Sequence, residues 1–411
     1  MRHERGGVAH CPPMKIVSLE LIKVPPSWVW LKIHTDEGIT GLGEPYLENH
    51  PDSVIAEVLR LEPLLIGEDP TRIEWLWNRM YEGGSGYKGG PVKMSAISGI
   101  DMALWDITGK AAGLPVHRLL GGATRDRILV YRAVGGSRPH VVEPGDPYRA
   151  GRREPVPGDP KPGSPEAWRA AAAELVHEWG FRALKAHVSP GETPFGTDLV
   201  DGMVACFAAA REGAGPGVPV AIDIHNPHPV IARQMLRALA PHRPLFVEEP
   251  MPIERVDALA EAVAGSEVPV AAGERWMGKW IFFDALSRGL LAVVQPDLAH
   301  AGGITECRKI AAIAEAAYAT VALHCPLSPL AFAASVQLDA SISNFLVQEH
   351  NEVNDTRAGG RTVIGAGYLR DPFVVGDDGC VAVPNAPGLG VELDEAGMAR
   401  IMAKPWSTQR G

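Results

Sequence analysis

Six acidic or imidazole side chains recur along the second half of the chain at nearly even spacing. They are Asp223, Glu248, Glu274, Asp297, His324 and Glu349, separated by 25, 26, 23, 27 and 25 residues. Each follows a short apolar run, as in Val220-Ala221-Ile222-Asp223, Leu245-Phe246-Val247-Glu248 and Val321-Ala322-Leu323-His324. Runs of that length read as buried strands, and an ionisable group closing one is costly to desolvate unless it is paired or binds something. Asp223, Glu248 and Glu274 close three successive runs. A lone acid of this kind is as readily explained by a basic neighbour, and Arg275 adjoins Glu274. Three in register repel one another, and a hard divalent cation resolves that with oxygen ligands, Mg2+ being the one three carboxylates suit. Asp297 and His324 close adjacent runs, and a carboxylate beside an imidazole suits a general base. His225 lies two residues past Asp223, so the period of a strand gives it the same face, where it can meet a substrate. Its alternatives are a metal ligand or a satisfied core histidine. Lys185 and His187 share a face in the same way. Cys325 reads as core, and His228, His300 and His350 read as surface groups near the mouth.

These residues need elements to position them. An interval of about 25 residues accommodates one strand, one helix and two short loops, so each is a βα unit. Six in a row argue for a parallel (β/α) barrel, whose strand C-terminal ends converge on one mouth. The apolar stretches 128–133 and 183–187 supply the first two barrel strands, with a helix at 165–179 between them. Upstream, 15–24, 29–35 and 39–46 read as strands and 51–66, 70–81 and 91–112 as helices. Strands followed by a block of helices indicate a separate α+β domain that caps the barrel. The organisation expected is a disordered extension over 1–13, a capping domain over 14–127, the barrel over 128–350 and a C-terminal segment over 351–411. That segment is expected to return to the capping domain, since the barrel offers no place for another strand. Residues 83–90 form a glycine loop. Residues 137–163 hold seven prolines and four glycines and leave the first barrel strand, where they read as a lid over the mouth or as a solvated insertion.

Among 411 residues, 46% are hydrophobic and 21% charged, the balance of an ordinary globular protein. A net charge of −10 with no basic block argues against nucleic acid as a partner. No apolar run reaches membrane-spanning length, and 1–13 is too polar for a secretory signal. Five scattered cysteines with no CxxC pair suggest a reducing compartment and no thiolate metal site, so a cytoplasmic location is expected.

Several stretches together resemble the enolase superfamily, in its mandelate racemase subgroup, and are most similar to the D-galactonate dehydratases. They include Asp223-Ile224-His225, Val247-Glu248-Glu249-Pro250, Gly273-Glu274-Arg275, the run Gln295-Pro296-Asp297-Leu298-Ala299-His300-Ala301-Gly302-Gly303-Ile304-Thr305-Glu306, and His324-Cys325-Pro326-Leu327. The resemblance implies Mg2+ on Asp223, Glu248 and Glu274, and His324, oriented by Asp297, as the base that removes the proton α to a carboxylate. It implies His225 as the acid that protonates the departing 3-hydroxyl, Glu349 as a hydrogen-bond partner of the substrate carboxylate, and a 2-keto-3-deoxy sugar acid as product. Lys185, His187, Arg275, Trp28 and Tyr87 of the glycine loop would contact a small sugar-acid substrate, and the chain would assemble as a homo-oligomer. Two features depart from the resemblance. The second strand carries Lys185-Ala186-His187 where racemases have Lys-x-Lys and galactonate dehydratases Lys-x-Asn, and the 137–163 connection is far longer. An epimerase or cycloisomerase working through the same enolate is the alternative enzyme, and a metal-binding homologue without turnover the alternative class.

Overall fold

The computed structural model describes residues 14–83, 86–137, 139–141, 143–145, 158–188, 198–252 and 256–408. The expected 1–13 extension and the middle of the 137–163 loop lie outside the described residues.

The capping domain begins with an antiparallel sheet of β1 (Ile16–Val24), β2 (Trp28–Thr35) and β3 (Thr40–Gly43). Asp36-Glu37-Gly38 turns the chain between β2 and β3, with Gly38 at φ 78, a conformation that glycine adopts without a steric cost. Three helices follow, α1 (Pro51–Leu61), α2 (Ile73–Glu82) and α3 (Pro91–Ala112). α3 is buried almost all round, because it is sandwiched between the sheet and the barrel rather than lying on a surface. Gly43 and Gly99 make its approach to β3 close: a Cβ on Gly43 would strike the Gly99 carbonyl. A short helix, α4 (Val116–Leu119), closes the domain.

The barrel strands are β4 (Arg127–Val134), β5 (Leu184–His187), β6 (Val220–Asp223), β7 (Val247–Glu248), β8 (Val270–Ala272), β9 (Val293–Val294), β10 (Thr320–Val321) and β11 (Gln348–Glu349). Helices α5 (Pro165–His177), α6 (Leu199–Ala214), α7 (Pro229–Leu239), α8 (Val256–Val263), α9 (Lys279–Ser287), α10 (Gly303–Ala316) and α11 (Pro329–Ser341) alternate with them. Neighbouring strands pair in parallel from β4 to β10; β11 pairs with β4, and a parallel bridge from Val321 to Phe345 closes the ring. Inside the ring, Tyr131, Ala183, Ala221, Phe246, Ala271, Val293, Ala322 and Val347 form one apolar layer, one side chain per strand. A period of two puts the next inward side chains of several strands at Lys185, Asp223, Glu248, His324 and Glu349, so this layer is the floor of the mouth.

After β11 the chain forms β12 (Asp355–Ala358), β13 (Arg361–Ile364) and β14 (Phe373–Val374), a small antiparallel sheet. It then forms β15 (Cys380–Ala382) and α12 (Glu395–Ile401). β15 corrects the expectation that the barrel has no room for another strand: it pairs antiparallel with Arg127–Leu129 of β4. β4 begins before its parallel neighbours do, so its first residues present an unpaired edge that β15 covers. The segment also reaches the capping domain, where Tyr368 donates to the Pro25 carbonyl at 2.9 Å and Trp406 Nε1 to that of Trp28 at 2.9 Å. No helix among the described residues is long and apolar enough to cross a membrane.

Candidate active site

The barrel mouth opens into a cavity of about 1160 Å3, lined on the barrel side by Lys185, His187, Asp223, His225, Glu274, Arg275, His324 and Glu349 and on the cap side by Glu48 and His50. Strand register accounts for much of its geometry. His187 is the cross-strand partner of Asp223, and Asp223 of Glu248. Gly273 shifts the phase on β8. Its φ of 139 and the Phe282 ring, 2.5 Å from where a Cβ would lie, both demand glycine, and the turn brings Glu274 rather than residue 273 to the mouth.

The three acids are buried, and each meets a cationic or imidazole neighbour. Lys185 Nζ lies 2.8 Å from Glu248 Oε1 and 2.8 Å from Glu349 Oε1. Burial alone would strip the lysine of its charge, but the two carboxylates hold it on, well above the usual lysine range. His187 Nδ1 lies 2.8 Å from Asp223 Oδ2, and Arg275 Nη2 is 2.8 Å from Glu274 Oε1 while Nη1 grips Glu249. Burial raises Glu248 and, with repulsion from Glu248 and Asp223, pushes Glu274 well up. Burial opposes ionisation of Asp223 too, but His187, His225 and the charge of Lys185 together outweigh it and hold this carboxyl well below the usual range. Glu248 Oε2 is buried without a hydrogen-bond partner among the described residues. By chemistry, an all-oxygen donor set with an unsatisfied buried oxygen suits a hard divalent cation, whereas the donor atoms gathered within 4.8 Å of one another among the described residues are those of His187, Asp223 and His225.

His324 and Asp297 face each other across a parallel bridge, with Nδ1 2.7 Å from Oδ2. The Ala299 amide donates to Asp297 Oδ1 at 2.7 Å, which fixes the carboxylate. His324 Nε2 faces the acids, 3.5 Å from Glu274 Oε2. Glu349 lines the cavity, but its oxygens take Lys185 and the Cys325 amide at 3.0 Å. Burial resists its charge, yet Lys185 and His324 draw it down to about 2. In this structure it anchors Lys185 and the turn after His324.

Several positions differ from the sequence reading. His225 does not share a strand face with Asp223, because β6 ends at Asp223 and His225 and Asn226 adopt φ of 49 and 57. The amide of His225 instead donates to Asp223 Oδ1 at 2.8 Å, and this turn folds the imidazole back over the acid. Trp28 is buried edge-on against Tyr46 at 5.7 Å, outside the cavity, because the C-terminal segment covers the face of β2 that a lone sheet would expose. Tyr87 is exposed: Lys93 gathers the Tyr81, Gly83 and Tyr87 carbonyls and sends the Tyr87 ring to solvent. His350 is buried between Asp355, at 2.8 Å, and the Phe181 ring. His228, by contrast, is exposed as expected, and it caps α7.

His300 is the functional neighbour that sequence reasoning placed on the surface. It is 4% exposed and lines the cavity. Its Nδ1 lies 3.0 Å from Ser95 Oγ of α3, and its Nε2 3.3 Å from Glu48 and 3.8 Å from Asp297. Burial opposes its charge, but Asp297 and Glu48 prevail and raise it to about 9. Its place only three residues after Asp297, within one turn of the chain, was the available signal. Of the 137–163 loop, the described residues Ser137, Pro139, His140, Pro162 and Gly163 line the cavity.

A capped parallel barrel with strand-end acids facing an Asp–His pair is the architecture of enolase-type enzymes. The chain belongs to the mandelate racemase/muconate lactonizing branch of the enolase superfamily. Residues 12–121 match the N-terminal domain of mandelate racemase and muconate lactonizing enzyme, and residues 167–397 match the enolase C-terminal domain-like family. Members of this superfamily bind a divalent metal. The chain is 40% identical to a D-galactonate dehydratase of Ralstonia nicotianae over 390 residues, 93% of each chain. It is 40% identical to one of Xanthomonas oryzae pv. oryzae, covering 95% of each. Among solved structures it resembles an Agrobacterium radiobacter enolase with bound sodium and L-malate (TM-score 0.79, 32% identity, 94% of each chain). It also resembles an enolase-superfamily member from Salmonella Typhimurium (TM-score 0.81, 29% identity, covering 94% of this chain and 98% of that one).

Proposed function

We propose that the protein is a Mg2+-dependent sugar-acid dehydratase, a hydro-lyase acting on galactonate or a close epimer. The observation that carries this reading is the placement of two imidazoles, His324 and His225, at opposite strands of the ring with the three acids between them. The names of the relatives support the same reaction.

Asp223, Glu248 and Glu274 would hold the cation, which supplies positive charge against the negative charge that develops on the substrate carboxylate. Asp297 accepts a hydrogen bond from His324 Nδ1–H and so leaves Nε2 as the base that faces the cavity. Nε2 removes the proton from C2 of the sugar acid. The electron pair moves into a C2–C3 double bond, the C3–O bond breaks, and His225 delivers a proton so that the hydroxyl leaves as water. The resulting enol becomes the 2-keto-3-deoxy acid. Lys185, held by Glu248 and Glu349, would present a fixed cation to the substrate carboxylate.

Incubating the Mg2+-loaded protein with a panel of sugar acids and assaying 2-keto acid tests the proposal. Keto acid from galactonate or an epimer is the expected result. Conversion to an epimer without keto acid would establish the racemase-type alternative, and no conversion with any acid would reject both.

A further inference from the structure

The cavity holds a donor set whose chemistry differs from that of the three carboxylates. His187, Asp223 and His225 each offer a ligand atom, and these atoms all lie within 4.8 Å of one another. His187 Nδ1 is 2.8 Å and His225 Nδ1 3.7 Å from the same oxygen, Asp223 Oδ2. Two ligands on a tetrahedral zinc ion stand about 3.3 Å apart, so these separations bracket the required spacing. His225 Nδ1 is buried without a hydrogen-bond partner among the described residues. The two rings meet edge to face with centroids 5.2 Å apart.

We propose that His187, Asp223 and His225 form a second cation site, selective for a borderline divalent ion of the zinc type. Imidazole nitrogen favours such ions over Mg2+, which takes oxygen donors. Oδ1 accepts the His225 amide, while Oδ2 is the oxygen that both imidazoles face, so a zinc-type ion shares Asp223 with the cation of the carboxylate set. The remaining position opens to the cavity, and water completes the shell there. Binding displaces the proton that His187 shares with Asp223. It also engages the imidazole of His225, and because that residue is the acid in the reading above, occupation stops dehydration. The site therefore makes the enzyme sensitive to zinc-type ions at concentrations where Mg2+ supports turnover.

The test titrates the Mg2+-saturated protein with Zn2+ against a chromogenic chelator, and with Co2+ followed by visible absorption. The expected result is one tight zinc per chain, an intense tetrahedral cobalt band, and loss of dehydration as zinc fills the site. His187→Asn should weaken zinc at least tenfold and abolish the cobalt band. Zinc that merely replaces Mg2+ on the carboxylates would instead be weakened in Glu274→Gln and retained in His187→Asn, and that pattern overturns the proposal. So does a zinc affinity in His187→Asn within twofold of the parent. The zinc readout requires no turnover, so it stands apart from the dehydratase assay. Zinc that binds through His187 yet leaves dehydration untouched supports the site and removes His225 from the role of acid.

Discussion

Asp297 and His324 are the two partners of one parallel bridge, and the pairing that joins their strands also brings Oδ2 within 2.7 Å of Nδ1. Orientation of the base is therefore a property of the barrel backbone. His324→Asn should abolish exchange of the substrate α-proton with deuterated solvent, read by NMR. His225→Asn should block loss of water while exchange continues, because exchange needs only the base and the cation. Exchange that persists in the His324 variant would remove it as the base.

The carboxylate set should act as a unit toward Mg2+. Glu274→Gln removes one charge from a shell that needs several and should weaken Mg2+ by roughly tenfold or more in calorimetric titration. Gly273→Ala should do the same indirectly, since its methyl would meet the Phe282 ring and its φ of 139 disfavours any side chain. Unchanged affinity in Glu274→Gln would exclude that residue as a ligand.

His300 stands behind Asp297 and carries Ser95 and Glu48 of the cap to it. Its replacement by Phe should lower kcat by about tenfold, the usual scale for a group that supports a reacting side chain, with a smaller change in KM. Ser95→Ala, which leaves the imidazole in place, should cost less. Equal losses from the two variants, or a change confined to KM, would contradict a role through Asp297.

Asp355 links β12 to the barrel through Arg132 at 2.6 Å and His350 at 2.8 Å, all buried. Burial raises its carboxyl, but His350 and Arg132 outweigh this and hold it below its ordinary value of 3.8. The folded state thus binds this proton less tightly than the unfolded chain. The stabilisation is full above pH 3.8 and is lost as pH falls through the lower folded value. Asp355→Asn should cost on the order of 3–5 kcal/mol at neutral pH, because it leaves Arg132 buried without its partner charge. Denaturant titrations should show the gap between parent and variant closing as the pH drops below 4; a gap independent of pH would refute the linkage.

The order of the barrel and the identity of its strand-end groups were legible in the chain itself. Burying a strand on both faces requires an apolar run, a parallel return requires a helix, and both lengths are set by backbone geometry, so Asp223, Glu248, Glu274, Asp297, His324 and Glu349 announce themselves by interval. Period two served for Lys185 and His187, which end an uninterrupted strand. It failed for His225, since a hydrogen bond from its own amide to Asp223 takes over where the strand stops. Only the tertiary structure decided which groups are inside. Trp28 looked available for a ligand because nothing local to β2 says that residues 378 positions later will cover it. His300 looked external because a histidine in a turn is buried only when another domain, here through Ser95 and Glu48, supplies its partners. Burial and partnership are sums over distant segments, and local propensity carries no record of them.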